Sequence, residues 1–136
     1  MSLGNEERKA MVTLEMERAI KTIGEMEYLQ QGELWNTMAN RLYYAVFHAV
    51  SALLIHDGHR VSTHKGSHVL FSQCYVKTGR LPKEYAMLYT QLETMRNEGD
   101  YNCYYDVAPE LLIETLPQAR EMIAAIENII NENKTI

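Results

Sequence analysis

Apolar positions recur along this chain at helical spacing, and glycines punctuate them. Val12, Met16, Ala19, Ile23 and Met26 follow one another at steps of four, three, four and three. Trp35, Met38, Leu42, Val46, Ala49 and Leu53 repeat the pattern, and Ile123, Ile126 and Ile130 carry it near the other end. Each set draws one stripe along an α-helix, the arrangement that packs in antiparallel bundles. Gly32, Gly58, Gly79 and Gly99 fall between the periodic segments, where C-caps and turns favour a residue that accepts positive φ. They divide the chain into predicted helices over 5–31, 33–57, 63–78, 82–98 and 109–132. Ser62 or Thr63 can cap the third helix, and Pro82 and Pro109 suit the first turns of the fourth and fifth. No segment alternates with β-branched enrichment, so no strand is predicted. The expected fold class is all-α, an up-and-down bundle of four to five antiparallel helices. It forms a single domain over residues 5–132, with flexible ends at 1–4 and 133–136.

Two irregularities modify that picture. In the second helix Phe47, Val50 and Leu54 form a second apolar strip, about 100° from the first. A helix apolar on two sides is either central in its bundle or covered by a partner subunit. The expectation is a homodimer that covers this face. Pro117 sits inside the last helical pattern, where it lacks an amide donor and clashes with the preceding turn. A kink or break is predicted near Leu116, with Thr115 and Gln118 at capping-box spacing for a restart.

Composition narrows the function classes. At 136 residues and 46% hydrophobic, the chain is neither a disordered tail nor a solvating acidic segment. Cys74 and Cys103 cannot build a disulfide framework and lack zinc-type spacing, so they read as small apolar fillers in a cytoplasmic protein. The longest apolar stretch, Ala45 to Ile55, is interrupted by His48 and Ser51 and falls short of the roughly 20 residues of a membrane span. No basic, apolar leader opens the chain, so neither secretion nor membrane attachment is expected. The net charge of −5 argues against non-specific coating of nucleic acid. Residues 33–83 nevertheless carry six basic side chains against Glu33 and Asp57, together with all five histidines. Positive and titratable groups so gathered point to a local anion site, or to solvated helix faces.

Arg41, Tyr44 and His48 share one side of the second helix, since positions seven apart fall within about 20° of each other. A permanent cation, a phenol and an imidazole in one strip can bind a phosphate and move a proton. Alternatively, Arg41 pairs with a carboxylate while Tyr44 and His48 are satisfied inside the bundle. Arg96-Asn97-Glu98-Gly99-Asp100-Tyr101 marks a helix end, where Arg96 and Asp100 can lock the turn. The tyrosines there and at 104 and 105 can stack on a base or seal the bundle. His64 and His68 have the i, i+4 spacing of a shared metal, but Lys65 stands where a zinc-protease motif has glutamate. No metal or cofactor is expected.

These strings together resemble the HEPN domain family, in its small stand-alone prokaryotic branch. The resemblance rests on Arg41-x-Tyr43-Tyr44-Ala45-x-Phe47-His48-Ala49, Thr63-His64-Lys65-Gly66-x-His68, Lys77-Thr78-Gly79-x-Leu81-Pro82 and Arg96-x-x-Gly99-Asp100-Tyr101. It covers about residues 8 to 130. It implies a short helical bundle, commonly dimeric, often paired with a minimal nucleotidyltransferase and sometimes acting in a toxin-antitoxin system. Many members are metal-independent RNases with an Arg-x4-6-His motif on a late helix. This sequence departs there: Tyr101, Asn102 and Cys103 stand five, six and seven residues after Arg96, and none replaces an imidazole.

Three functions follow as expectations. The first is a binding module that holds a nucleotide or RNA through Arg41, Tyr44, His48, His64, Lys65, Arg96, Asp100 and Tyr101. The second is an RNase in which His48, Arg41 and Arg96 are catalytic, or Arg96 works with His64. The third is a structural partner subunit without a ligand. Arg41, Tyr44 and His48 are expected to line a groove that Arg96 and Tyr101 also reach.

Overall fold

The computed structural model describes residues 4–60, 63–104 and 106–132. They form six α-helices: α1 (Asn5–Ile23), α2 (Met26–Gln31), α3 (Trp35–His56), α4 (His64–Phe71), α5 (Lys83–Tyr101) and α6 (Pro109–Glu132). Ser72–Val76 continue α4 as a π-helical turn. No strand occurs among the described residues. Helix α3 is the centre, packing against α1, α2, α4, α5 and α6. Cross-helix pairs give the directions. Glu15 meets His48 while Thr22 meets Arg41, so α1 and α3 are antiparallel. Asn40 meets Asp100 while Tyr43 lies beside Tyr89, so α3 and α5 are antiparallel too.

The expected stripes are the core. Val12, Met16, Ala19 and Ile23 of α1 and Met26 of α2 are buried, as are Met38, Leu42, Val46, Ala49 and Leu53 of α3. Burying a side chain of this size contributes about 1.5–3 kcal/mol. The second strip resolves in favour of a central helix: Ala49 through Ile55 are all buried within the one chain. Val50 and Leu54 therefore need no second copy to shield them, while Phe47, the third residue of that strip, stays half-buried. Helix α3 is also long and apolar enough to cross a membrane, but 67% of that window is buried inside the protein, as a bundle's central helix requires.

Several boundaries differ from the pattern. The first predicted helix divides at Gly24 into α1 and α2. Gly32 keeps φ at −81°, and Glu33 takes the left-handed conformation at φ 56°. Gly99 does not break its helix, because α5 runs on to Tyr101. Gly58 and Gly79 do adopt the positive φ expected of turns. Helix α6 is continuous through Pro117. Pro117 and Ile113 lie on the exposed side, where water can replace the lost hydrogen bond. No capping box forms there, since Thr115 Oγ1 donates back to the Leu112 carbonyl. Cys74 is half-buried against the core, whereas Cys103 is exposed and fills nothing. Thr63 caps α4, its Oγ1 accepting from Gly66 N at 2.8 Å; Ser62, Tyr105 and the ends at 1–3 and 133–136 lie outside the described residues.

A polar knot ties the end of α3 to the π-helical turn. Buried Tyr75 donates its hydroxyl to Asp57 Oδ2 at 2.6 Å, and Arg80 Nη1 donates to the same oxygen at 3.0 Å. Asp57 Oδ1 faces His56 Nδ1 at 2.9 Å, and the Arg80 guanidinium lies 5.1 Å over the Tyr75 ring. Burial alone raises the Asp57 pKa, but the hydrogen bonds from Tyr75, His56 and Arg80 outweigh it and hold the carboxyl below its usual value. A depressed carboxylate contributes stability above its unfolded pKa, and loses it as pH falls through the folded one. Replacing Asp57 by Asn removes the charge at the Tyr75 hydroxyl and should cost about 1–3 kcal/mol at neutral pH. In urea unfolding, the gap between wild type and Asp57→Asn should narrow as pH falls below the unfolded value of 3.8. A gap independent of pH contradicts the assignment.

Candidate functional site

Midway along α3, one face turns from aliphatic to aromatic and basic. Tyr43, Tyr44, Phe47 and His48 project there, and α4 and α5 close over them. The Thr63 cap fixes the first residue of α4, His64, against this face. A side chain at Gly66 would place its Cβ 2.8 Å from the capping hydroxyl, which explains glycine in the Thr-His-Lys-Gly string. The His64 ring stacks on Phe47 with centroids 4.3 Å apart, and its Nδ1 is 3.0 Å from the Tyr43 hydroxyl. From α5, the Arg96 guanidinium lies over Tyr43 and Tyr44, at 4.9 and 5.7 Å from their centroids.

Two features mark this cluster as unusual. Among the described residues, no carboxylate reaches ion-pair distance of Arg96. Its Nε is buried and has no hydrogen-bond partner among the described residues, and a buried donor left unmet costs about 1–3 kcal/mol. Beside this cation stands an imidazole kept neutral: burial lowers the His64 pKa, the Arg96 charge lowers it further, and Glu93 only partly offsets them. Burial chiefly, with Glu93, pushes the Tyr43 phenol up to about 12 against the pull of Arg96. Tyr43 therefore keeps its proton, and its hydroxyl shares a hydrogen bond with His64 Nδ1. The Tyr89 hydroxyl is close enough to Tyr43 to be felt electrostatically, and burial pushes its pKa upward, but it makes no hydrogen bond of acceptable geometry.

Two histidine–carboxylate pairs flank the cluster. His48 Nδ1 lies 2.7 Å from Glu15 Oε2 of α1, which orients the ring. His68 Nδ1 lies 2.7 Å from Glu93 Oε2 of α5, and its Nε2 is 3.1 Å from Thr90 Oγ1. The two histidines of α4 thus face different partners, and among the described residues no three His, Cys, Asp or Glu side chains gather as metal ligands do.

The structure brings Tyr44, His48, His64 and Arg96 together and separates the other expected residues from them. Arg41 turns to the α1–α2 break, where its Nε donates to Glu25 Oε1 at 3.0 Å and Nη2 to Thr22 Oγ1 at 3.4 Å. Asp100 accepts from Asn40 Nδ2 at 2.8 Å rather than pairing with Arg96. Tyr101 is 78% exposed, and Tyr104 is exposed as well, so neither seals the bundle. Lys65 is exposed on the first turn of α4. Contacts therefore join Tyr44 to His48 and to Arg96, without Arg41 or Tyr101. Helical spacing missed Tyr43, Glu15 and Glu93, because it gives a residue's face but not the neighbour that face meets.

A helical bundle centred on one apolar helix agrees with what sequence comparison finds. The HEPN domain family model matches residues 13–136. A UPF0332 protein of Thermotoga maritima is 30% identical over 128 residues, which span 94% of this chain and 97% of that one. A UPF0332 protein of Archaeoglobus fulgidus is 27% identical over 121 residues, 89% of this chain and 96% of the relative. A Methanocaldococcus jannaschii protein named "Putative toxin MJ0142" is 26% identical over 95 residues, 70% of this chain and 65% of its own. The match extends across α1 to α6, through every helix that builds the aromatic cluster, and the chain belongs to the HEPN domain family.

Proposed function

We propose that this HEPN domain is a binding module that takes a phosphate of a nucleotide or of RNA at Arg96. The observation that carries this reading is the unpaired guanidinium, its Nε buried without an acceptor, held over Tyr43 and Tyr44. A phosphate oxygen supplies the missing acceptor and the opposite charge at once. Tyr44, Phe47 and His64 offer half-buried ring surface on which a base can stack. Arg41 takes no part, since Glu25 already neutralises it. The Methanocaldococcus jannaschii relative named "Putative toxin MJ0142" supports a role related to toxins. A toxin-antitoxin pairing with a nucleotidyltransferase is part of the proposal and comes from the resemblance of the sequence strings alone.

A second reading is metal-independent RNA cleavage. It is favoured by the neutral His64 beside Arg96, which puts an imidazole in space where the late helix lacks one. Glu15 also orients His48 as a carboxylate orients a general base. Attack by the 2′-oxygen on the adjacent phosphorus would break the P–O5′ bond, leaving a 2′,3′-cyclic phosphate and a protonated 5′-hydroxyl on the departing strand.

The binding reading is tested by fluorescence anisotropy with a labelled single-stranded RNA. Arg96→Ala should weaken binding by about tenfold or more, the size of a charge-assisted hydrogen bond. Arg41→Ala should change it little. Equal affinities for wild type and Arg96→Ala, with helical circular dichroism retained, contradict the proposal. If the protein cleaves RNA, the rate should survive chelator. Replacing the histidine that carries the proton, His48 or His64, by Ala should then lower it by about 10² to 10⁴. Cleavage abolished by chelator contradicts the second reading.

A further inference from the structure

Glu93 and Arg96 stand three residues apart on α5, where opposite charges are surface neighbours and ordinarily pair. Here they do not pair. The Glu93 carboxylate is drawn instead to α4, where Oε2 meets His68 Nδ1 at 2.7 Å. The His68 ring is itself fixed on two further sides. It lies flat on Tyr89, with centroids 4.6 Å apart and planes 6° from parallel, and its Nε2 is 3.1 Å from Thr90 Oγ1. Nδ1 is thereby aimed at Glu93. On its other side Arg96 is held by the faces of Tyr43 and Tyr44. Glu93 and Arg96 act with opposite sign on the same two groups, Tyr43 and His64, so both charges border one site.

We propose that His68 is a positioning residue that latches Glu93 to α4 and so keeps Arg96 free for an anion. This rests on the reading that Arg96 receives a phosphate. Without the latch, Glu93 is released to swing along its own helix onto the guanidinium. It would then supply the acceptor that the buried Nε lacks and compete with phosphate for the same fork. His68 touches no ligand; it acts by occupying a competitor. The stacked ring and the Thr90 contact make the latch rigid, because only one orientation of the imidazole satisfies both.

The test has a structural arm and a binding arm. In a crystal structure of His68→Ala, the Glu93 carboxylate should lie within ion-pair distance of Arg96. In RNA binding, His68→Ala should weaken affinity by about two- to fivefold, the strength of an exposed helical ion pair. In the Glu93→Gln background the same substitution should change nothing, because no competing charge remains. His68→Asn, whose side-chain amide places a donor near the position of Nδ1, should retain wild-type affinity. If His68→Ala proves too unstable, His68→Leu fills the ring's place without a donor and serves the same comparisons. A structure in which Glu93 stays off Arg96, or a loss of affinity that persists in the Glu93→Gln background, overturns the proposal. Failure of the phosphate reading is separately visible as an Arg96→Ala protein that binds RNA like wild type; the structural arm still decides the latch.

Discussion

Everything in this bundle is arranged around a helix with almost no solvent-facing surface in its second half. From Ala49 to Ile55 every residue of α3 is buried, Ser51 included. Such a helix contributes most of its stability through apolar burial there, and its polar groups must find partners in its first half or at its end. All but the Ser51 hydroxyl, which is buried without a partner among the described residues, do so one neighbour at a time. Arg41 reaches Glu25 beside α2, His48 reaches Glu15 on α1, Tyr43 reaches His64 on α4, and Asn40 reaches Asp100 on α5. Asn36 accepts the Val107 amide that precedes α6. The central helix thus specifies its neighbours by hydrogen bonds along one half and by shape along the other.

This constraint also places the site. The aromatic face of α3 lies where aliphatic packing gives way to polar pairing, and two short-range devices bring other elements to it. The Thr63 cap sets His64 at the start of α4, and the Asp57–Tyr75–Arg80 knot anchors the far end of the same segment. Between those anchors α4 carries His64 and His68 in fixed orientation against α3 and α5. The result is a cation with no carboxylate at ion-pair distance among the described residues, bordered by an imidazole whose pKa is lowered by burial and by that cation's field. Both properties depend on neighbours outside the helix that bears the residue.

Much of the fold was legible in the sequence, because core stripes are a property of spacing alone. Val12 to Met26 and Met38 to Leu53 proved to be core, and Pro109 does begin the last helix. The failures share a cause. Gly32 does end α2, though at negative φ, whereas Gly99 does not end α5, because whether a glycine ends a helix depends on what packs around it. Gly99 lies against Asn36 and Val107, and the helix continues past it. Arg41 and Arg96 both stand in the strings that carry the family resemblance. Only tertiary contacts distinguish them: Arg41 meets a carboxylate and Arg96 meets aromatic rings. The Glu15–His48 and Glu93–His68 pairs join residues 33 and 25 positions apart, beyond the reach of helical periodicity.

The most direct measurement of the central claim is an NMR titration of the protein with a short single-stranded RNA, following arginine side-chain and aromatic resonances. The account predicts that Arg96 Nε–Hε shifts most, together with the rings of Tyr44, Phe47 and His64, while Arg41 stays at its free position. Shifts confined to Arg41 or to the exposed tyrosines after Arg96, with the Arg96 signal unmoved, would contradict it.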